Sequence, residues 1–176
     1  DSMDLPEDIS QKFRVLQDQA TPVPFDNISR VLEQEYNGNQ DRYFSRIDPE
    51  PLGTASLAQA HAAWLKDGRP VVIKVLHEGV ESSVDTDLIA LKTILITGRF
   101  LKRSREEIDD IFDEIRSRLI EELDYHQEAE NLKKFHAFFE ANPNIHIPLP
   151  VDELSTKRVL VMDRIFGTNF DQFVAS

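Results

Sequence analysis

Two apolar runs, Gln59 to Lys66 and Pro70 to Leu76, flank the dipeptide Asp67-Gly68, and no other stretch commits the chain so firmly to one local structure. Asp-Gly between such runs is a strong β-hairpin signal, because a tight turn needs residues that tolerate positive φ. The second run, Val71-Val72-Ile73-Lys74-Val75-Leu76, is apolar on both faces apart from one residue. Alternation along a strand puts Lys74 on the same side as Val72 and Leu76. An ammonium on an apolar face is costly unless it is paired or meets an anion. On this pattern alone two readings stand: a lysine held for an anionic partner, or an edge-strand lysine snorkelling to water.

Helices surround this hairpin. Asp4-Leu5-Pro6-Glu7 reads as a helix start, with the helix running to about Leu16 or Asp18. Thr21-Pro22-Val23-Pro24-Phe25 cannot continue it. Asp26 is then expected to cap a short helix with Ile28, Val31 and Leu32 inward, ending near Gly38, and Ile47-Asp48-Pro49-Glu50-Pro51 reads as an extended connector. Beyond the hairpin, Val84 to about Leu101 is apolar at helical spacing (Val84, Leu88, Leu91, Leu95). A long helix is expected from about Glu106 to Phe139, with Ile108, Ile111, Phe112, Ile115, Leu119 and Leu123 as its stripe and a bend near Tyr125. Asn142-Pro143-Asn144 stops it, and Val159-Leu160-Val161-Met162 is a last short strand before Gly167. Helices, hairpin, helices, strand: the order predicts an α+β fold rather than a wound parallel sheet.

Composition removes several function classes. The 176 residues hold 20 Lys and Arg against 32 Asp and Glu, a net charge of −12, which argues against a general nucleic-acid or anionic-membrane binder. There is no Cys, so disulfide scaffolds, thiolate metal sites and cysteine nucleophiles are excluded. The most apolar helical stretch, Leu88 to Leu101, is interrupted by Lys92 and Arg99 and falls short of the roughly 20 residues that span a bilayer. No secretory signal opens the chain. Both ends read as cut from something longer: the first residue is not Met, and Phe170-Asp171-Gln172-Phe173 looks like the opening of a helix.

Three places could carry chemistry. Lys74 is the first. The second is Glu122-Leu123-Asp124-Tyr125-His126-Gln127-Glu128-Ala129-Glu130-Asn131, where Asp124, Glu128 and Asn131 at i, i+4 and i+7 share a helical stripe and Glu122 points about 200° away from Asp124. A Glu on this helix is a natural counter-ion for Lys74, although a solvated acidic face in an acidic protein reads the same way. The third is Pro51-Leu52-Gly53-Thr54-Ala55-Ser56-Leu57-Ala58, small residues whose backbone could approach and cradle a phosphate, or simply pack closely in a turn. With one Gly it is no Walker or dinucleotide fingerprint. His61, His77, His126, His136 and His146 lack metal-ligand spacing and read as structural or surface residues. Ser56 and His61 lack the third group that a nucleophile–base pair needs.

Taken in order, these pieces resemble the UbiB family of atypical protein-kinase-like proteins (AarF and ADCK relatives). Leu16-Gln17-Asp18 with Pro22-Val23-Pro24-Phe25 resembles its L-Q-D…P-x-P-F segment, and Leu32-Glu33-x-Glu35-x-x-Gly38 its next helix ending. Ala55-Ser56-Leu57-Ala58-Gln59-x-His61 resembles the Ala-rich loop that replaces the Gly-rich loop of ordinary kinases. Val72-Ile73-Lys74-Val75 resembles the lysine strand, Glu122-Leu123-Asp124-Tyr125-x-x-Glu128-Ala129-x-Asn131 the E-x-D-Y-x-x-E-A-x-N helix, and Val159 through Gly167 the strand and hinge. Gly53-Thr54 depart from the family's usual Ala-Ala, and Ala60 from its usual Val.

The resemblance implies a kinase-like N-terminal lobe, a small antiparallel sheet with long helices, over residues 47–176, preceded by a family-specific helical extension over 1–46. It implies that Lys74 holds the α/β phosphates of ATP or ADP and pairs with Glu128. Gly53, Thr54, Ala55 and Ser56 would cover the nucleotide, and Asp163 to Ile165 would offer backbone hydrogen bonds to adenine. Glu122 and Asp124 match an acidic motif that in the family engages a K-x-G-Q segment, which guards against protein phosphorylation and accompanies ATPase activity in ubiquinone biosynthesis. Asp1 lies just past where K-x-G-Q belongs. No H-x-D…N or D-F-G segment follows Gly167, so the catalytic Asp and the Mg²⁺ ligands are expected in a second lobe, and these residues alone are not expected to turn over. Implied partners are the nucleotide and a membrane-associated quinone or lipid biosynthetic complex, with a cytoplasmic or organelle-matrix location, peripheral to a membrane through other parts. The alternative from another class is a non-catalytic, pseudokinase-type interaction or regulatory module.

Overall fold

The computed structural model describes residues 21–97 and 105–168; the helix expected from Asp4 lies outside them. In chain order the elements are α1 (Phe25–Glu35), α2 (Gln40–Tyr43), β1 (Phe44–Thr54), β2 (Ala58–Leu65), β3 (Pro70–Leu76), α3 (Val80–Thr97), α4 (Arg105–Glu122), α5 (Tyr125–Phe139) and β4 (Val159–Asp163). The strands form one antiparallel sheet in the order β1-β2-β3-β4. This is the α+β arrangement expected.

The hairpin forms where the sequence puts it. Gly68 takes φ +88, Arg69 N–H donates to the Asp67 carboxylate at 2.9 Å, and Leu65 N–H closes on Arg69 O at 2.9 Å. The β2–β3 register runs unbroken from Ala58 opposite Leu76 to Trp64 opposite Pro70.

Each face of the sheet has its own core. Odd-numbered residues of β3, Val71, Ile73 and Val75, are fully buried with Val159 and Val161 of β4 against Ile28, Val31 and Leu32 of α1. Burial of each such side chain is worth about 1.5–3 kcal/mol, so α1 and the sheet make one body. Even-numbered residues face the other way: Leu76 and Leu160 pack with Leu123, just before α5, and with Tyr125 and Ala129 near its start. One strand thus serves two cores, which explains why its sequence is apolar on both faces.

Several expectations need correction. The connector at Ile47–Pro51 belongs to β1. Pro49 and Pro51 are tolerated there because β1 is the sheet edge and its ladder slips between Ile47 and Pro51 and again before Gly53, so the missing N–H donors break no continuous ladder. Asp26 lies in the first turn of α1, where its charge favours the helix dipole, while Pro24 occupies the N-cap. α1 stops at Glu35 through two left-handed residues, Asn37 (φ 51) and Gly38 (φ 70), the latter donating to Glu33 O at 2.8 Å. The helix expected from Val84 begins at Val80. The long helix expected over 106–139 is two helices: α4 ends at Glu122, and Asp124 turns extended (φ −106, ψ 101) to cap α5. Of its expected stripe, Ile108, Phe112 and Leu123 are buried, whereas Ile111 and Ile115 are partly exposed.

Candidate functional site

Lys74 stands on the α5-facing side of β3, opposite Ala60 on β2 and Leu160 on β4. Two residues along, Val72 lies between Ala62 and Met162. Ala60, Val72, Lys74 and Met162 are all half-buried, so this strip of sheet is floored by core and open above. Small side chains at 60 and 62 keep it shallow.

One turn into α5, Glu128 receives the lysine. Nζ lies 2.7 Å from both Oε1 and Oε2, a two-pronged contact. About a third of each side chain remains exposed (31% and 38%), so solvent screens the pair and its worth to folding is at most about 1 kcal/mol. Its effect is positional. The ammonium is neutralised and aimed, which answers the cost of placing it on an apolar strand.

The helix break supplies the geometry. Asp124 accepts the His126 N–H at 3.0 Å as N-cap and also meets His126 Nδ1 at 3.0 Å. That cap fixes where α5 begins, and hence the height of Glu128 over the sheet. Asp124, Glu128 and Asn131 do share a surface, as their spacing suggested, but Asp124 does so from the cap. They line a cavity of about 670 Å³ with Arg118, Glu121 and Gln127. The backbone of Glu122 closes α4; its side chain lies outside the described residues.

The small-residue segment forms the β1–β2 turn. Ala55 N–H donates to Ala58 O at 2.8 Å, and Gly53, Ala55 and Ser56 are exposed with Thr54 half-buried. A Cβ built at Gly53 would meet nothing within 4 Å, so the fold itself imposes no glycine there. At the other end of the strip, Asp163 stands opposite Val71 of β3 with its N–H turned away, donating to Leu149 O at 2.9 Å, while Arg164 N–H reaches Pro70 O at 3.3 Å. Ile165 follows, half exposed. Asp163 also meets Arg69 at 3.6 Å. Among the described residues no group of three or more His, Asp or Glu is arranged to hold a metal ion.

Two features carried no role in the sequence reading. Tyr125, 2% exposed, lies beneath Lys74, whose Nζ is 5.0 Å from its ring centroid. Its hydroxyl is buried without a hydrogen-bond partner, and burial, with the Glu128 charge, pushes the phenol well above its ordinary pKa. An unsatisfied hydroxyl costs folding free energy, so Tyr125→Phe is expected to raise stability by about 1 kcal/mol in chemical denaturation. A lower midpoint would mean that the hydroxyl has a partner. The second feature is the Gln59–His61 pair on the opposite face, both essentially fully buried. His61 Nδ1 donates to Asp48 O (2.8 Å), which fixes its tautomer, and Nε2 accepts from Gln59 Nε2 (3.0 Å). Gln59 grips Val23 through both its N–H (3.0 Å) and C=O (3.3 Å). The signal was two polar residues spaced by two on the core-facing side of an apolar strand.

A family model described as "ABC1 atypical kinase-like domain" matches residues 15–176. Among curated proteins the chain is 33% identical over 165 residues to "Probable protein kinase UbiB" of Marinobacter nauticus, covering 93% of the chain and 30% of that protein. It is 32% identical over 164 residues to "Atypical kinase COQ8, mitochondrial" of Saccharomyces cerevisiae (93% and 32%). It is 32% identical over 173 residues to the uncharacterized protein Rv0647c of Mycobacterium tuberculosis (96% and 36%). The chain therefore spans about a third of the length of these relatives. Among solved structures, the Rv3197–erythromycin complex of Mycobacterium tuberculosis superposes with a TM-score of 0.71 at 25% identity, covering 97% of this chain and 43% of that one.

Proposed function

The chain belongs to the ABC1 atypical kinase-like family, and from that membership we propose that it is the nucleotide-binding lobe of an atypical kinase or ATPase that supports ubiquinone biosynthesis. The observation that carries this reading is Lys74, held 2.7 Å from both oxygens of Glu128 on an open strip of sheet. Such an ammonium is ready for a polyanion: its partner fixes it in place, and its exposed end faces the space above the strip.

In this reading ATP supplies the reactive phosphoanhydride, and the chain's own residues bind and orient it. Lys74 takes the α/β phosphates. The turn from Gly53 to Ser56 lies over them, and the room around Gly53 lets backbone come close. Adenine lies along Ala62, Val72 and Met162, toward Asp163 and Ile165. Because the N–H groups of Asp163 and Arg164 are already engaged, the base would use the Asp163 carbonyl and the Ile165 N–H. The ligands for Mg²⁺ are expected on a second lobe. Glu122 and Asp124 would serve as an acidic contact for a regulatory segment, Asp124 with the oxygen its cap leaves over. Residues 47–176 form the lobe in this reading and 1–46 an extension, fused to it through α1.

Among the described residues no helix is long and apolar enough to cross a membrane. We propose a cytoplasmic or matrix location beside a membrane-associated quinone or lipid biosynthetic complex. The second reading, a non-catalytic interaction module, draws on Ile89, Leu91 and Ile94, which α3 leaves 66%, 47% and 60% exposed.

Calorimetry of Mg-ATP and Mg-ADP with the full-length protein separates the two. Saturable binding, weakened at least about tenfold by Lys74→Ala, is the expected result; tenfold corresponds to about 1.4 kcal/mol, a modest share of a charge-assisted phosphate contact. No binding to the folded wild type would move the assignment to the interaction module.

A further inference from the structure

A lysine ammonium has three N–H donors and a long flexible stem. Glu128 takes Nζ through both carboxylate oxygens, and that alone would leave the group free to swing about the carboxylate. A third hydrogen-bonding neighbour would stop the swing, but it would also consume the last donor. The structure solves this with a ring. Tyr125 stands three residues before Glu128, its N–H tied to Lys157 O at 3.0 Å, its side chain locked among Leu123, Ala129, Leu76 and Leu160. Its face lies 5.0 Å from Nζ. A ring face attracts an ammonium through its quadrupole and uses no N–H.

We infer that Tyr125 is a positioning residue, whose ring face seats the Lys74 ammonium so that one N–H stays free for an anionic oxygen of the ligand. This rests on the nucleotide reading given above and names how that site keeps its cation in register. The hydroxyl plays no part in the seat, since it has no hydrogen-bond partner. Simple packing would require only the ring's volume. The seat requires its electron density, and the two can be separated.

The test is Mg-ATP calorimetry on the full-length protein with Tyr125→Phe and with phenylalanines bearing one, two and three ring fluorines at position 125. Fluorine drains the ring face while scarcely changing its size. Tyr125→Phe is expected to bind within about twofold of wild type. Across the fluorine series Kd should climb stepwise, by about twofold to thirtyfold in total, the range that a cation–ring contact spans. Across the fluorine series, unfolding midpoints measured without nucleotide should stay close to the raised value of Tyr125→Phe, because water screens the partly exposed ammonium there. A flat Kd series in a protein that binds Mg-ATP and loses it with Lys74→Ala overturns the inference and leaves the nucleotide site standing. A Kd that follows the unfolding midpoint overturns it too, since the ring would then be packing alone. Wild type that fails to bind Mg-ATP overturns the functional reading on which it rests.

Discussion

Leu160→Ala is expected to lower the unfolding free energy by about 2–5 kcal/mol, the range for emptying a fully buried leucine site. Leu160 is 0% exposed, on the face of β4 that meets α5, directly across from Lys74. Its neighbours Leu123, Tyr125, Ala129 and Leu76 come from a helix start and a strand, two rigid elements that cannot both close on the space. The same cavity would slacken the register between α5 and β3, on which the 2.7 Å contact of Lys74 and Glu128 depends. Urea denaturation at unchanged slope measures the loss. A change below about 1 kcal/mol would mean that α5 is not anchored through this leucine.

Gln59→Leu should be nearly as damaging, by a different route. The side chain keeps its bulk and loses its polarity, so the N–H and C=O of Val23 and the Nε2 of His61 all lose their partner. Each buried group left unpaired costs about 1–3 kcal/mol, and Val23, half-buried, recovers part of that from water, so a total of about 2–4 kcal/mol is expected. The pair also gives stability a pH dependence. Burial holds the His61 pKa below its ordinary value, against the opposing pull of the Asp48 carbonyl and charge. The folded ring stays neutral while the unfolded one takes a proton near pH 6.5. The unfolded state then binds more protons, so stability is complete above about pH 6.5 and falls as pH drops through it. His77 is shifted the same way by burial, despite the opposing bond that its ring makes to the Ser56 backbone, so the slope has two contributors. His61→Phe should remove part of the slope between pH 7 and 5. An unchanged slope would assign all of it elsewhere.

How far the sequence exposes this molecule depends on where local chemistry and tertiary context agree. Asp67-Gly68 turns the chain by itself, and a lone Lys74 in Val-Val-Ile-Lys-Val-Leu is anomalous without any partner in view, so both are plain on reading. β1 is hidden because Pro49 and Pro51 forbid an ordinary strand, and only its place at the sheet edge makes them harmless. The break between α4 and α5 is hidden for the opposite reason. The apolar period runs in phase into Leu123, while the interruption comes from a cap at Asp124 that competes with helix continuation. Asp124 and Glu128 were readable as neighbours. Tyr125 beneath Lys74 was not, since it depends on how α5 lies against β3. Gln59 and His61 were visible as polar residues on an apolar strand, but their partners at Val23 and Asp48 are far away in sequence.

Because β3 divides its residues between two cores, variants along it should sort by parity. Changes at Val71, Ile73 and Val75 would deplete the protein itself, lowering its abundance in a cell whatever the assay. In the nucleotide reading, changes at Val72 and Lys74 would leave its abundance closer to normal and remove its work. A saturation scan scored once for cellular level and once for function should therefore show two combs offset by a single residue. Between 71 and 75, a substitution's position would tell whether its carrier lacks the protein or holds an inert one.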